Sequence, residues 1–222
     1  MNVQEIEALR KEIKDYTEAH LLPFWSKRTI DKEYGGYLTH FDEFGNDSGT
    51  DEKSLIAQTR SVFTYSQAYR HGFGGPIMKE MAEHGVKYLI EKMWDEKNGG
   101  FYWMMDRKGN ATNKQKIGYG HSFVIYSLSE YTLATGDPIG LEYAEKTFDL
   151  LQKYAVDTNL GGYWEFFSEE WELMGAGSPG GDRKTLDVHM HLMEAFTTLY
   201  EASGKEVHRR KLKESIDILI QK

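Results

Sequence analysis

The chain has 222 residues, 40% of them hydrophobic, enough apolar material for one sizeable core. Its 35 acidic residues against 27 basic ones give a net charge of −8, and the lack of any basic run speaks against nucleic acid as a partner. With no cysteine, no apolar stretch of membrane-spanning length and no secretory segment in MNVQEIEALRKEIKDY, the expectation is a cytoplasmic protein without disulfides, thiolate metal sites or membrane attachment.

The first predicted element is a helix from Asn2 to Leu22, with Ile6, Leu9, Ile13 and Tyr16 on one face and Pro23 as its stop. EYGGYLTHFDEFGN (Glu33 to Asn46) follows. Gly-Gly suits a tight turn, the alternating aromatic run suits a short strand, and Asp42 to Asn46 suits a second turn, so the segment reads as a hairpin. Two helices come next, Lys53 to His71 and Pro76 to Met93, the second with proline in its first turn. The same order then recurs. KNGGFYWMMDRKGN (Lys97 to Asn110) precedes helices at Gln115 to Thr135 and Pro138 to Ala155. NLGGYWEFFSEEWE (Asn159 to Glu172) precedes helices at Arg183 to Ser203 and Lys205 to Lys222.

The spacing therefore predicts an all-α fold of seven helices and three short β-hairpins in one domain over residues 1–222. Helix pairs of this kind bury their apolar sides by stacking on neighbouring pairs, in a ring or a solenoid. Three and a half pairs make an incomplete arc, so the open ends are expected to be covered by a missing C-terminal half or by a second copy in a homodimer. A short solenoid is the alternative, with the amphipathic VHRRKLKESIDILIQK as its cap.

KTLDVHMHLMEAF (Lys184 to Phe196) carries two histidines two residues apart. On a helix, positions two apart point to opposite sides, so His189 and His191 are not expected to share a metal ion. Asp187, His191 and Glu194 do share a face, and an acid one turn away can orient an imidazole; a histidine merely satisfied at a helix start fits the same spacing. The equivalent helices of the other repeats carry Arg60, and Tyr119 with His121. Singly, such residues are most often salt bridges or core contacts. Recurring at one place in three repeats, they are expected to converge on one cavity, with Trp103 and Trp164 of the hairpins near its rim.

These stretches resemble the N-acylglucosamine 2-epimerase superfamily, which includes cellobiose 2-epimerases, mannose 2-epimerases and mannose isomerases. The likeness is carried by LLPFW (Leu21 to Trp25), DKEYGGY (Asp31 to Tyr37), QTR (Gln58 to Arg60) and WDEKNGGFYW (Trp94 to Trp103). It continues through YGHSFVIYSLSEY (Tyr119 to Tyr131), GGYWEFFSEEW (Gly161 to Trp171) and KTLDVHMHLMEAFTTLY (Lys184 to Tyr200). The resemblance implies an (α/α)6 toroid, of which this chain would be the N-terminal half and slightly more.

It also implies inversion or isomerisation at C2 of a reducing sugar through a cis-enediolate, with no cofactor and no metal. Carried over, it places His191 at the carbonyl end of the sugar as the catalytic candidate. Arg60, Tyr119, His121, Asp187 and Trp103 become the substrate-binding candidates. Asp187 and His121 stand where cellobiose enzymes carry asparagine and glutamine, which favours a monosaccharide such as mannose or an N-acylhexosamine. The family's proton-transferring histidines belong to the half not present, so the chain alone is expected to have little activity. Two other classes fit the same scaffold: a glycoside hydrolase using two of Asp106, Glu165 and Asp187, and a non-catalytic sugar-binding half-barrel.

Overall fold

The computed structural model describes residues 2–175, 177 and 183–221. The first rod begins with a capping box: the Glu5 N–H donates to Asn2 Oδ1 (2.9 Å) and the Asn2 N–H to Glu5 Oε2 (2.8 Å). Helix α1 (Val3–Tyr16) runs through a π-helical turn (Thr17–Leu21) into α2 (Leu22–Arg28). Pro23 was expected to stop this helix and does not. It sits in the first turn of α2, just after the widened turn, where its missing N–H and fixed φ are tolerated.

The other rods are α3 (Leu55–Arg70), α4 (Ile77–Tyr88) with a π turn to Met93, α5 (Gly118–Thr135), α6 (Pro138–Tyr154), α7 (Leu186–Ser203) and α8 (Glu206–Gln221). Seven rods thus stand among the described residues; Lys222, the expected end of the last, lies outside them. Ser54 and Thr185 accept the Ala57 and Val188 N–H groups as N-caps, and Gly136 and Gly204 close α5 and α7 in the left-handed conformation.

The three predicted hairpins are shorter than their aromatic runs suggested. A three-stranded antiparallel sheet in the order β1-β2-β3 joins β1 (Glu52–Ser54), β2 (Met104–Asp106) and β3 (Ala111–Asn113). A second sheet pairs β4 (Lys116–Ile117) with β5 (Phe166–Phe167). Only the second copy makes a regular hairpin; the first and third are held by single bridges, Phe41 to Asp47 and Phe167 to Leu173. Strands instead tie one repeat to the next, as β1 to β2 and β4 to β5.

Helices α3, α5 and α7 lie side by side as an inner layer, and α4, α6 and α8 back them. The core runs between these layers through Leu55, Val62, Val124, Leu128, Leu192 and Leu199. Helix α1 is different. It buries no residue, and Ile6, Ile13 and Tyr16 are 46%, 58% and 62% exposed. No helix among the described residues is long and apolar enough to cross a membrane.

Candidate active site on the inner face

Each repeat contains the same clamp, and the clamp sets the register of everything inward of it. The turns DKEYGG, DEKNGG and DTNLGG each begin with an aspartate whose Oδ1 accepts the next turn N–H groups, as at Glu33 and Tyr34 for Asp31. A lysine from just before the inner helix reaches the other oxygen: Lys53 on Asp31 (2.8 Å), Lys116 on Asp95 (2.9 Å), Lys184 on Asp157. Burial would raise the carboxyls of Asp31 and Asp95. The hydrogen bonds from Arg107 and Lys53, and from Lys116 and Asn98, outweigh it and hold both at about 2. Lys184 and the backbone N–H groups of Asn159 and Leu160 hold Asp157 at about 2.

Five residues after each lysine, a side chain grips the residue following Gly-Gly. Gln58 Oε1 accepts the Tyr37 N–H (2.8 Å) and its Nε2 donates to the Tyr37 carbonyl (2.8 Å). His121 Nε2 accepts the Phe101 N–H (3.0 Å), and His189 Nε2 accepts the Tyr163 N–H (3.0 Å). Both rings then carry their proton on Nδ1, facing the Ile117 carbonyl at 2.8 Å and the Thr185 carbonyl at 2.7 Å. The second glycine of each pair has φ of +67°, +78° and +81°. A Cβ there would stand 2.7, 2.8 and 2.6 Å from Gln58 Oε1, His121 Nε2 and His189 Nε2, so glycine is required twice over.

His121 therefore serves the turn and not the inner face. The sequence reading put it among the substrate-binding residues; the structure buries it completely behind the hairpin with both nitrogens engaged. Burial pushes its imidazole down to about 3. Gln58 performs the same task in the first repeat, so the histidine-for-glutamine difference at this position concerns the clamp and not the sugar.

Two residues beyond each clamp the helix has turned about 200°, to the opposite side. Those positions are Arg60, Phe123 and His191. They meet in a row: the Arg60 guanidinium lies 4.4 Å from the Phe123 ring centre, and the Phe123 and His191 rings are 4.7 Å apart. Tyr119 closes the group, 5.1 Å from Phe123 and 5.2 Å from His191. One turn further along, Phe63 and Tyr126 stack at 4.0 Å, and Glu194 Oε2 lies 2.7 Å from His191 Nδ1. Arg60 is exposed and forms no ion pair among the described residues, so its N–H groups are available to oxygen ligands.

Arg60, Tyr119 and His191 are therefore brought together as expected. Asp187 is not the acid that holds His191. It sits in the exposed first turn of α7, near Glu165, whose carboxyl burial and the Asp187 charge push upward against the Thr185 hydroxyl bond. Trp103 is half-buried against Gly120, at the start of α5. Asp106 is tied into its own turn by Asn110, at 2.8 Å from both the backbone and side-chain nitrogens. Sequence reasoning put Glu194 on the His191 face together with Asp187, but missed Phe123 and Tyr126 as members of it. The signal that finds them is the offset from the clamp residue. A groove of about 960 Å3 between α1 and α3 is mainly apolar and holds none of the candidate residues.

Comparisons with known proteins bear on the family and the fold. A family model described as N-acylglucosamine 2-epimerase matches residues 36–222. A cellobiose 2-epimerase of Bacteroides fragilis is 32% identical over 97% of this chain and 56% of its own length. A D-mannose isomerase of Marinomonas mediterranea is 29% identical over 90% of this chain and 49% of its own. The solved cellobiose 2-epimerase of Spirochaeta thermophila superposes with a TM-score of 0.88 at 30% identity, over 97% of this chain and 54% of that one. The chain thus spans about half the length of the relatives it matches. With a family model covering most of its residues and an arc that overlays half of a solved epimerase, the chain belongs to the N-acylglucosamine 2-epimerase family.

Proposed function

We propose that the inner face of α3, α5 and α7 is the substrate-binding half-site of a sugar 2-epimerase or isomerase. The reaction acts at C2 of a reducing aldose of mannose, N-acylhexosamine or cellobiose type, through a cis-enediolate. The observation that carries this reading is the meeting of Arg60, Tyr119 and His191 around Phe123. Removing a proton alpha to a carbonyl builds negative charge on the carbonyl oxygen, and a guanidinium beside it stabilises that charge, while an imidazole bonds a neighbouring sugar hydroxyl. In this reading the Tyr119 hydroxyl and the Trp103 ring add a polar contact and a stacking surface, and Asp187, in the first turn of α7, adds an acceptor. No cofactor is part of the proposal. The rest of the ring, from further chain or a second copy, supplies the proton-transferring groups.

The test is sugar binding by calorimetry, with C2 exchange of mannose, N-acetylmannosamine and cellobiose followed in deuterated water. The chain is expected to bind at least one of these sugars and to exchange its C2 proton slowly or not at all. Arg60→Ala with His191→Ala should weaken binding at least tenfold. Binding that survives the double substitution would remove the site from this face, and rapid exchange by the chain alone would overturn its half-site character. Release of a reducing sugar without C2 exchange would favour a glycoside hydrolase.

A further inference from the structure

His191 and Glu194 form a contact that the sugar-binding reading does not require. Two acids lie within one helical turn of His191, and only Glu194 reaches it, at 2.7 Å between Oε2 and Nδ1. The imidazole is 15% exposed, flanked by the Tyr119 and Phe123 rings, while the carboxylate is 45% exposed. A carboxylate accepts but cannot donate, so the nitrogen it meets must carry the proton. The neutral ring is then protonated on Nδ1, and Nε2, which makes no hydrogen bond among the described residues, keeps its lone pair. A free histidine in water prefers the opposite tautomer.

Resting on the half-site reading above, we propose that Glu194 is a positioning residue that fixes the proton of His191 on Nδ1 and presents Nε2 to a sugar hydroxyl as a hydrogen-bond acceptor. The carboxylate touches no reacting atom; it acts through the ring. The aromatic ridge of Tyr119, Phe123 and Tyr126 on α5 keeps the dyad apart from the cation on α3, so Glu194 stays with His191 instead of pairing with Arg60. The geometry assigns the two polar ends of the face opposite characters: a donor at Arg60 and an acceptor at His191.

The experiment uses the 222-residue chain labelled with nitrogen-15 and reads the tautomers of its ring nitrogens by NMR near neutral pH. His191 is assigned from its disappearance in His191→Gln. The expected result is Nδ1–H for His191 in the parent chain, a shift toward Nε2–H in Glu194→Ala, and no change in Asp187→Ala. Nε2–H in the parent chain, or an unchanged tautomer in Glu194→Ala with the fold intact by circular dichroism, would overturn the proposal. The parent measurement needs no variant, so a misfolded Glu194→Ala leaves the test standing. Mannose and cellobiose are then titrated in: a shift of the Nε2 resonance that is lost in Glu194→Ala supports the acceptor role. The expected tautomer with no response to either sugar would count against the half-site reading and not against the dyad.

Discussion

His121 and His189 hold the same backbone N–H that Gln58 holds in the first repeat, which makes this position a natural place to exchange a titrating group for a neutral one. His121 is held at about 3 by burial, against an ordinary histidine value near 6.5. Its folded value is depressed, so its contribution is fully present above about pH 6.5 and is lost as pH falls toward 3, where the unfolded chain takes up the proton first. This site alone gives a slope of up to about 1.4 kcal/mol per pH unit between those limits. His121→Gln should keep the clamp and remove its share of the slope, leaving the contributions of other buried groups such as His208, which burial also lowers, and Glu130 and Glu165, which burial raises. Urea midpoints at pH 7 and pH 5 measure it, and equal slopes in parent and variant would refute the assignment. The histidine pair of α7 shows how far the sequence could be read. Helical spacing separated His189 from His191, but which of them faces inward depends on a clamp to Tyr163, 26 residues away. The spacing within α7 cannot reveal a contact at that distance.

Helix number and order were legible at the level of elements, because the apolar period and the Gly and Pro punctuation agree with the packing. The starts of the inner helices were not. Lys53 and Lys116 read as helix, yet they lie in β1 and β4, because each is drawn to a buried aspartate across the turn. The three pairs differ in how much they depend on the lysine. The side chains of Lys116 and Asp95 are 0% and 1% exposed, and Asp95 has no second cation among the described residues. Removing one partner of such a pair leaves a buried charge unpaired, at a cost of about 3–5 kcal/mol. Asp31 keeps Arg107 at 3.0 Å if Lys53 is lost, and the Lys184 to Asp157 pair is the more accessible of the three. Lysine-to-methionine substitutions should therefore lower the melting temperature most at Lys116, less at Lys53 and least at Lys184. A Lys184 variant as destabilised as the Lys116 variant would mean that burial does not rank these clamps.

For the molecule as a whole, stacked repeats share stability only with their neighbours, so the arc should be least stable where a neighbour is lacking. Helix α5 lies between α3 and α7 and is backed by α6, whereas α1 buries no residue and leaves Ile6, Ile13 and Tyr16 open. An isolated helix of this length is marginal in water, and neither its capping box nor its exposed Lys11 to Asp15 pair replaces tertiary packing. Hydrogen exchange followed by mass spectrometry should then find the amides of residues 3–16 exchanging orders of magnitude faster than those of α5, which should approach the rate set by global unfolding. The open stripe on α1 makes a second expectation specific. If a second copy covers it, protection of residues 3–16 must rise with protein concentration, and Ile6→Glu with Ile13→Glu must abolish that rise while leaving α5 unchanged. Protection of α1 equal to that of α5 at every concentration would show that contacts within one chain already cover this helix, and the view of the arc as open at α1 would fall.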